Sequence, residues 1–312
     1  MREIAARSPS SLRLPVAILL TTLMLVIPQA AKAHHLQDSM QIVAHRGDVQ
    51  HYQENSLAAI GSAISKGAHW VEIDIVMNLD SGNLIVDHDV TCGYNQHSIA
   101  TSPWWVLEAW CHPLLLDEVF DEFPTAKNWI IDVKPTGDTA PVIGDAVRQA
   151  IHDRGLQNDV WVTSAAQSIL DPALTVLFDV KDNSPIKTMW GKCPDVYSCN
   201  TGSVTNWINT ASAWGFDAVN IHIAQASAST VAHAATLGVT YSVWTWHSGD
   251  WPLGIEHQKE SHHDLAYQYG ADMFFTDFLD HSLETLGSKG HGGNDPHHDP
   301  NCDPLTAKRE CY

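Results

Sequence analysis

Short β-rich runs alternate with amphipathic stretches eight times along this chain, and few folds accept that rhythm. The strands are expected at 41–45, 70–77, 128–134, 160–164, 186–190, 218–223, 240–247 and 273–276. Helices are expected at 54–66, 139–154, 168–180, 203–214, 225–237, 262–269 and 278–286. The first of these keeps Leu57, Ile60 and Ile64 on one face and stops at Gly67. The second gathers Val142, Ile143, Val147 and Ile151 and stops at Gly155. Eight β/α units over about 250 residues predict an α/β fold, a TIM (β/α)8 barrel. A doubly wound open sheet is the alternative, but the Gly-rich first turn such sheets use to cradle a cofactor is missing from this sequence.

The regular pattern has three exceptions. Residues 1–33 join a basic stretch (Arg2, Arg7, Arg13), an apolar run from Leu14 to Ile27 and a small-x-small Ala31-Lys32-Ala33, the design of a cleaved signal peptide. The apolar run is shorter than the roughly 20 residues of a spanning helix; an uncleaved anchor is the weaker alternative. A mature chain that is secreted or periplasmic is therefore expected, with no transmembrane segment. Residues 91–113 form a compact loop insertion bracketed by Cys92 and Cys111 and rich in tryptophan (Trp104, Trp105, Trp110). The loop either walls the site or is an ordinary stapled surface loop. Residues 288–312 turn to Gly, His, Asp and Pro, a composition that packs no core and reads as a flexible tail. The expected domain organisation is thus signal peptide 1–33, barrel 34–287 and tail 288–312.

An extra short strand at 84–86 follows the Asp80-Ser81-Gly82 turn and is expected to form a hairpin with the second strand. The six cysteines fall into neighbouring pairs along the chain: Cys92 with Cys111, Cys193 with Cys199, Cys302 with Cys311. An even count in an exported chain favours disulfides, although the sequence alone leaves the connectivity open. The formal net charge is −19, and loss of residues 1–33 makes it more negative. Such a chain repels polyanions, which excludes nucleic acid as the expected partner and weakens docking to anionic membranes.

The chemistry concentrates near the start. The first strand runs into His45-Arg46-Gly47, the second carries Glu72 and Asp74, the hairpin ends in Asp87-His88-Asp89, and the third strand carries Asp132 and Lys134. Strand side chains alternate faces, so Glu72 with Asp74, and Asp132 with Lys134, each share one face. Barrel active sites lie at the C-terminal ends of strands. Three acids and a lysine converging there call for a cation or an anionic substrate, because isolated buried charge is costly. Oxygen ligands suit Mg²⁺ or Ca²⁺ better than zinc. A salt-bridge layer with Lys134 pairing one acid is the bland reading; convergence from three strands at one end speaks against it.

His45-Arg46-Gly47, Glu54-Asn55, Glu72-x-Asp74, His88-Asp89 and Asp132-Val133-Lys134-Pro135 together resemble the glycerophosphodiester phosphodiesterase family, which are TIM barrels. Further similarity lies in Leu115-Leu116-Asp117-Glu118-Val119, Val243-Trp244-Thr245 and Gly270 to Asp277. The resemblance implies that His45 and His88 are the acid–base pair. It makes Glu72, Asp74 and Asp132 ligands of one divalent cation, with Arg46, Lys134 and Trp244 binding substrate. The implied activity is cleavage of glycerophosphodiesters such as glycerophosphocholine to glycerol 3-phosphate and an alcohol. Asp132 stands where the family usually has glutamate. Asp132 and Cys92 instead resemble the sphingomyelinase D-like phospholipases, which lack the His-Arg-Gly and Glu-Asn seen here. The alternatives are such a phospholipase acting on sphingomyelin or lysophospholipids, and a non-catalytic ligand-binding barrel.

Overall fold

The computed structural model describes residues 40–126, 128–165, 171–182, 184–192, 202–245 and 260–290. The expected signal peptide, Cys193, Cys199, Cys302, Cys311 and most of the tail lie outside the described residues.

The first half contains β1 (Gln41–Ala44), α1 (Leu57–Lys66), β2 (Trp70–Met77), β3 (Leu84–Val86), β4 (Thr91–Cys92), β5 (His97–Ser98), α2 (Trp104–Trp110) and α3 (Leu116–Glu122). Then come β6 (Trp129–Val133), α4 (Ala140–Asp153), β7 (Val160–Ala165), α5 (Pro172–Lys181), β8 (Lys187–Lys192), α6 (Val204–Ala213), β9 (Ala218–His222) and α7 (Ala228–Thr236). The chain continues through β10 (Thr240–Trp244), α8 (Glu260–Tyr269), β11 (Met273–Thr276) and α9 (Leu279–Gly290). The sheet order is β1-β11-β10-β9-β8-β7-β6-β2, and a further β1–β2 pairing closes it. All the closing pairs are parallel, so the expected TIM barrel is what forms. β3 hangs antiparallel on β2 through Ile75↔Val86, the hairpin expected after the Asp80-Ser81-Gly82 turn.

Period-two alternation sorts the strand side chains. Ile42, Ile73, Ile75, Ile131, Val133, Val162, Val219, Ile221 and Val243 join the helices in the main core. The opposite faces supply Val43, Ile130, Trp161, Met189, Ala218, Met273 and Phe275, which fill the barrel interior. This apolar plug closes the barrel, so polar side chains two residues further along the same strands gather at its C-terminal mouth.

α1 starts at Leu57, three residues later than its sequence pattern suggests. Asn55 has φ 53°, outside the helical basin, and its N–H donates to Arg46 O at 3.0 Å. Ser56 then caps the helix by accepting from Ala59 N at 3.1 Å, and Gly67 ends it at φ 82°. The 91–113 insertion packs Trp104 and Leu107 onto Val76, Ile85 and Ile99. Asn78 fastens it from below, its amide donating to Ile99 O at 2.7 Å and Ser102 O at 2.9 Å. A Cys92–Cys111 disulfide staples its ends, the first of the expected pairs. No helix among the described residues is long and apolar enough to cross a membrane.

Candidate active site

The register of β2 and β6 sets Asp74 beside Asp132, both on the interior face. Glu72 precedes Asp74 by one full alternation, so three carboxylates from two strands converge. One oxygen from each lies within 4.8 Å of the others. Lys134, on the same face just beyond β6, reaches Asp132 Oδ2 at 2.6 Å and Asp74 Oδ1 at 3.0 Å.

The turn after β1 completes the group. Arg46 and Gly47 take φ of 57° and 86°, which ends the strand and swings the chain over the mouth. A Cβ at Gly47 would stand 2.7 Å from the Ala59 backbone, so only glycine permits this close approach. Arg46 N–H donates to Glu72 Oε2 at 2.8 Å. Its guanidinium meets Asp74 Oδ2 at 3.2 Å and Glu54 Oε2 at 2.9 Å. Asn55 clasps Asp74 twice: Nδ2 donates to Oδ2 at 2.9 Å, and Oδ1 accepts from Asp74 N at 3.1 Å. The turn is held from outside by Asp48, whose Oδ2 accepts from Ser62 at 2.6 Å and pairs with Lys66 at 2.8 Å.

His45 follows β1 directly, and its Nδ1 lies 2.8 Å from Asp277 Oδ1 at the end of β11. His88 follows the β3 arm. The neighbouring Asp87 N–H donates to Asp74 O at 3.2 Å, which returns this arm to the acids, and His88 Nδ1 is 3.2 Å from Asp89 Oδ1. Trp244 ends β10 with its ring 5.1 Å from that of His222.

The electrostatics are those of a strained acidic nest. Burial, then the charge of Asp74, pushes Glu72 well above the usual carboxylate range. Burial also raises Asp132, with Lys134 partly opposing it. On Asp74 burial is overcome by Lys134 and Arg46, which hold it ionised. Burial would lower His45, but Asp277 outweighs it and keeps the imidazole more basic than usual. Asp132 Oδ1 is buried with no hydrogen-bond partner among the described residues. Crowded carboxylates with a buried acceptor left over fit a hard divalent cation, and Glu72, Asp74 and Asp132 are the residues that would hold it.

Every residue singled out in the sequence lies at this mouth or on its rim. Arg46 and Lys134, which the resemblance assigns to phosphate, are engaged by carboxylates in this structure. Lys134 directs two of its three donors at acids, leaving one for an anionic substrate. Four polar residues were missed as site members. Asn55 and Glu54 were noted only as a motif, although they hold Asp74 and Arg46. Asp277 was noted only as part of the last strand, although it orients His45. His222 was also missed, although Asn220 and His222 repeat the i, i+2 spacing of the acids. Burial, reinforced by His262, pushes His222 down to about 4, so it is a neutral imidazole.

Comparison with known proteins bears on the family and the fold. Residues 45–99, from His45 through the acid pair and His88 into the insertion, match the model of the glycerophosphoryl diester phosphodiesterase family. A glycerophosphodiester phosphodiesterase from Caldanaerobacter subterraneus subsp. tengcongensis is 42% identical over 50 residues. That match covers 16% of this chain and 20% of the relative, so the chain spans about a fifth of the length of the curated relative it matches. Among solved structures, a glycerophosphodiester phosphodiesterase from Parabacteroides distasonis superposes with a TM-score of 0.64 at 17% identity, covering 81% of this chain and 99% of that one. A phosphodiesterase from Oleispira antarctica, solved with the product sn-glycerol-3-phosphate, gives 0.64 at 17% identity, covering 80% and 98%. One from Thermotoga maritima gives 0.57 at 20% identity, covering 79% and 97%. These structural likenesses bear out the fold. The resemblance carried by His45-Arg46-Gly47, Glu54-Asn55, Glu72, Asp74 and His88 is borne out by the match to 45–99. The sphingomyelinase D-like features, Asp132 and Cys92, gain no support from these comparisons.

Proposed function

We propose, starting from a chain whose residues 45–99 match the glycerophosphoryl diester phosphodiesterase family, that this protein is a metal-dependent phosphodiesterase. Its proposed substrates are glycerophosphodiesters such as glycerophosphocholine, cleaved to glycerol 3-phosphate and an alcohol. The observation that carries this reading is the convergence of Glu72, Asp74 and Asp132 within 4.8 Å beside Lys134 and two histidines. A bound Mg²⁺ or Ca²⁺ would supply Lewis-acid stabilisation of charge developing on a phosphate oxygen. Lys134, and Arg46 behind it, add positive charge on the same side.

The histidines move the protons. His45 gives Nδ1–H to Asp277, which fixes the ring and leaves Nε2 for the reaction. One histidine takes the proton from the attacking hydroxyl, whether of water or of the substrate, as its oxygen bonds to phosphorus. The other returns a proton to the alkoxide as the phosphorus–oxygen bond breaks, each transfer contributing about 10²–10⁴-fold. Trp244, at the end of β10, would serve as an apolar wall for the alcohol, as the resemblance implies. The disulfide between Cys92 and Cys111, together with the composition of residues 1–33, supports an exported location.

Turnover of glycerophosphocholine followed by ³¹P NMR tests the assignment. Activity should vanish with EDTA and return with Mg²⁺ or Ca²⁺, and His45→Ala and His88→Ala should each abolish it with the fold intact. Chelator-insensitive turnover sinks the metal assignment, and near-normal turnover in either histidine variant sinks the acid–base pair.

A further inference from the structure

The insertion between His88 and Leu114 uses its aromatic residues in two opposite ways. Trp104 and Leu107 turn inward onto Val76, Ile85 and Ile99, and Leu107, Ile85 and Ile99 are buried. Trp105 and Trp110 of the same short helix turn outward, 67% and 63% exposed, and Tyr94 at the tip of the β4–β5 hairpin is fully exposed. Among the other described tryptophans, Trp129, Trp161, Trp190 and Trp207 are buried in the core. Two indoles and a phenol left in water on one small segment are a liability unless something covers them.

The staple joins the two stretches of backbone that carry Tyr94 and Trp110. Tyr94 lies two residues after Cys92 and Trp110 one residue before Cys111, so the disulfide draws their backbones together. Gly93 packs against the carbonyl of Trp110, 3.3 Å from where its Cβ would stand. Val90, also exposed, opens the segment two residues after His88, so the segment leaves directly from the active-site rim.

Charge narrows the occupant. In a chain of net charge −19, the stretch from Val90 to Pro113 holds one formally charged residue, Glu108. Acidic surroundings oppose an anionic surface, while a neutral aromatic tip meets a zwitterionic one without penalty. Trp and Tyr settle at the headgroup level of bilayers, where the ring is sheltered and the N–H or O–H stays hydrated. We propose that the stapled 90–113 segment docks this protein on a zwitterionic, phosphatidylcholine-type lipid surface, with the mouth at His88 facing headgroup phosphodiesters. The meaning of this docking rests on the phosphodiesterase reading; the docking itself needs no turnover.

Co-sedimentation of the full chain with phosphatidylcholine vesicles tests it, beside vesicles carrying added phosphatidylglycerol. The wild type should bind the zwitterionic vesicles, and phosphatidylglycerol should not tighten binding. The triple variant Tyr94→Ser/Trp105→Ser/Trp110→Ser should bind roughly tenfold more weakly or worse, since it forfeits most of the buried aromatic area. Its turnover of soluble glycerophosphocholine should be unchanged. Quenching of wild-type tryptophan fluorescence by brominated phosphatidylcholine gives the same answer without a variant. Absence of wild-type binding, equal binding by the triple variant, or tighter binding to the anionic vesicles overturns the proposal. So does a concentration-dependent dimer or a folded protein partner that the triple variant loses while vesicle binding persists. Vesicle binding without glycerophosphocholine turnover would sink the activity and leave the docking standing.

Discussion

His45 and Asp277 meet at 2.8 Å across 232 residues of sequence, at the seam where β1 closes against β11. The backbone sets this up: His45 N–H donates to Thr276 O at 3.1 Å, so the two strand ends run out together. A histidine in this position would be made less basic by burial and by Arg46, yet Asp277 reverses the sign. The pair therefore both aims the ring and sets its charge.

Replacing Asp277 by Asn keeps the shape and removes the charge. Burial and Arg46 then act with less opposition, so the His45 pKa should move down, towards or past 6.5. The linkage has a definite sign. A raised histidine contributes stability that is fully present below its unfolded value near 6.5 and is lost as pH rises through the folded value. Asp277→Asn should thus destabilise the protein at pH 5.5 and far less at pH 8.5. Chemical denaturation at the two pH values and an NMR titration of His45 check both parts; an unmoved titration curve would rule out the pairing.

Asn55 should be as sensitive for a different reason. It donates to and accepts from Asp74, and it sits at φ 53°. Asn55→Ala strips two buried bonds from Asp74 and replaces asparagine, which tolerates left-handed backbone, by alanine, which tolerates it less, together costing about 2–4 kcal/mol. Asn55→Gly loses the same bonds but relaxes the backbone, so it should be more stable than the alanine variant. Turnover should fall in both, because Asp74 is no longer held. Equal stability of the two variants would dismiss the backbone term.

Glu72→Gln should separate stability from activity. Burial and Asp74 disfavour the Glu72 carboxylate, and the amide retains an oxygen for the Arg46 N–H. An acid whose folded pKa is raised costs stability once pH exceeds its ordinary value of 4.5, increasingly up to the folded value. The metal-free variant should therefore be more stable than wild type at pH 7, by on the order of 1 kcal/mol or more, with no such difference at pH 4. It should also lose turnover and the rise in Tm on adding Mg²⁺ or Ca²⁺. A lower Tm at pH 7 would show that Glu72 stabilises the fold rather than the site.

The barrel was legible because its two signals are local. Strand alternation and helix periodicity need only neighbours, and they placed Trp70–Met77 and Met273–Thr276 to the residue. The acids were legible on the same basis, since i, i+2 spacing fixes a shared face on any strand. What adjoins what across the barrel was not. The pairing of Asp74 with Asp132 depends on interstrand register, and that of His45 with Asp277 on closure of the barrel. The start of α1 was misjudged for a related reason. The sequence pattern runs the helix back to Glu54, but Glu54 and Asn55 are drawn off it by Arg46 and Asp74, a tertiary demand whose one local sign is Ser56, a preferred N-cap residue. Likewise α2 lay unseen inside the insertion, because seven residues are too few for a clear period.

The insertion should depend on its staple far more than the barrel does. A helix of seven residues does not hold itself together, and β4 and β5 are two residues each. Their order comes from the Asn78 bonds, the cap of Trp104 N–H by Asp80 Oδ2 at 2.8 Å, and the disulfide closing 19 residues. A loop of that length is worth about 3 kcal/mol in the chain-entropy account. Cys92→Ser/Cys111→Ser should therefore loosen residues 91–113 first, with faster amide exchange there while β1, β2 and β6 stay protected. Because β3 leans on this segment through the small core of Val76, Ile85, Ile99 and Leu107, the loosening should reach His88 and lower turnover before the barrel melts. Hydrogen exchange resolved by segment, read alongside turnover, checks the order of events. Uniform loss of protection across the barrel would show instead that the staple supports the whole fold.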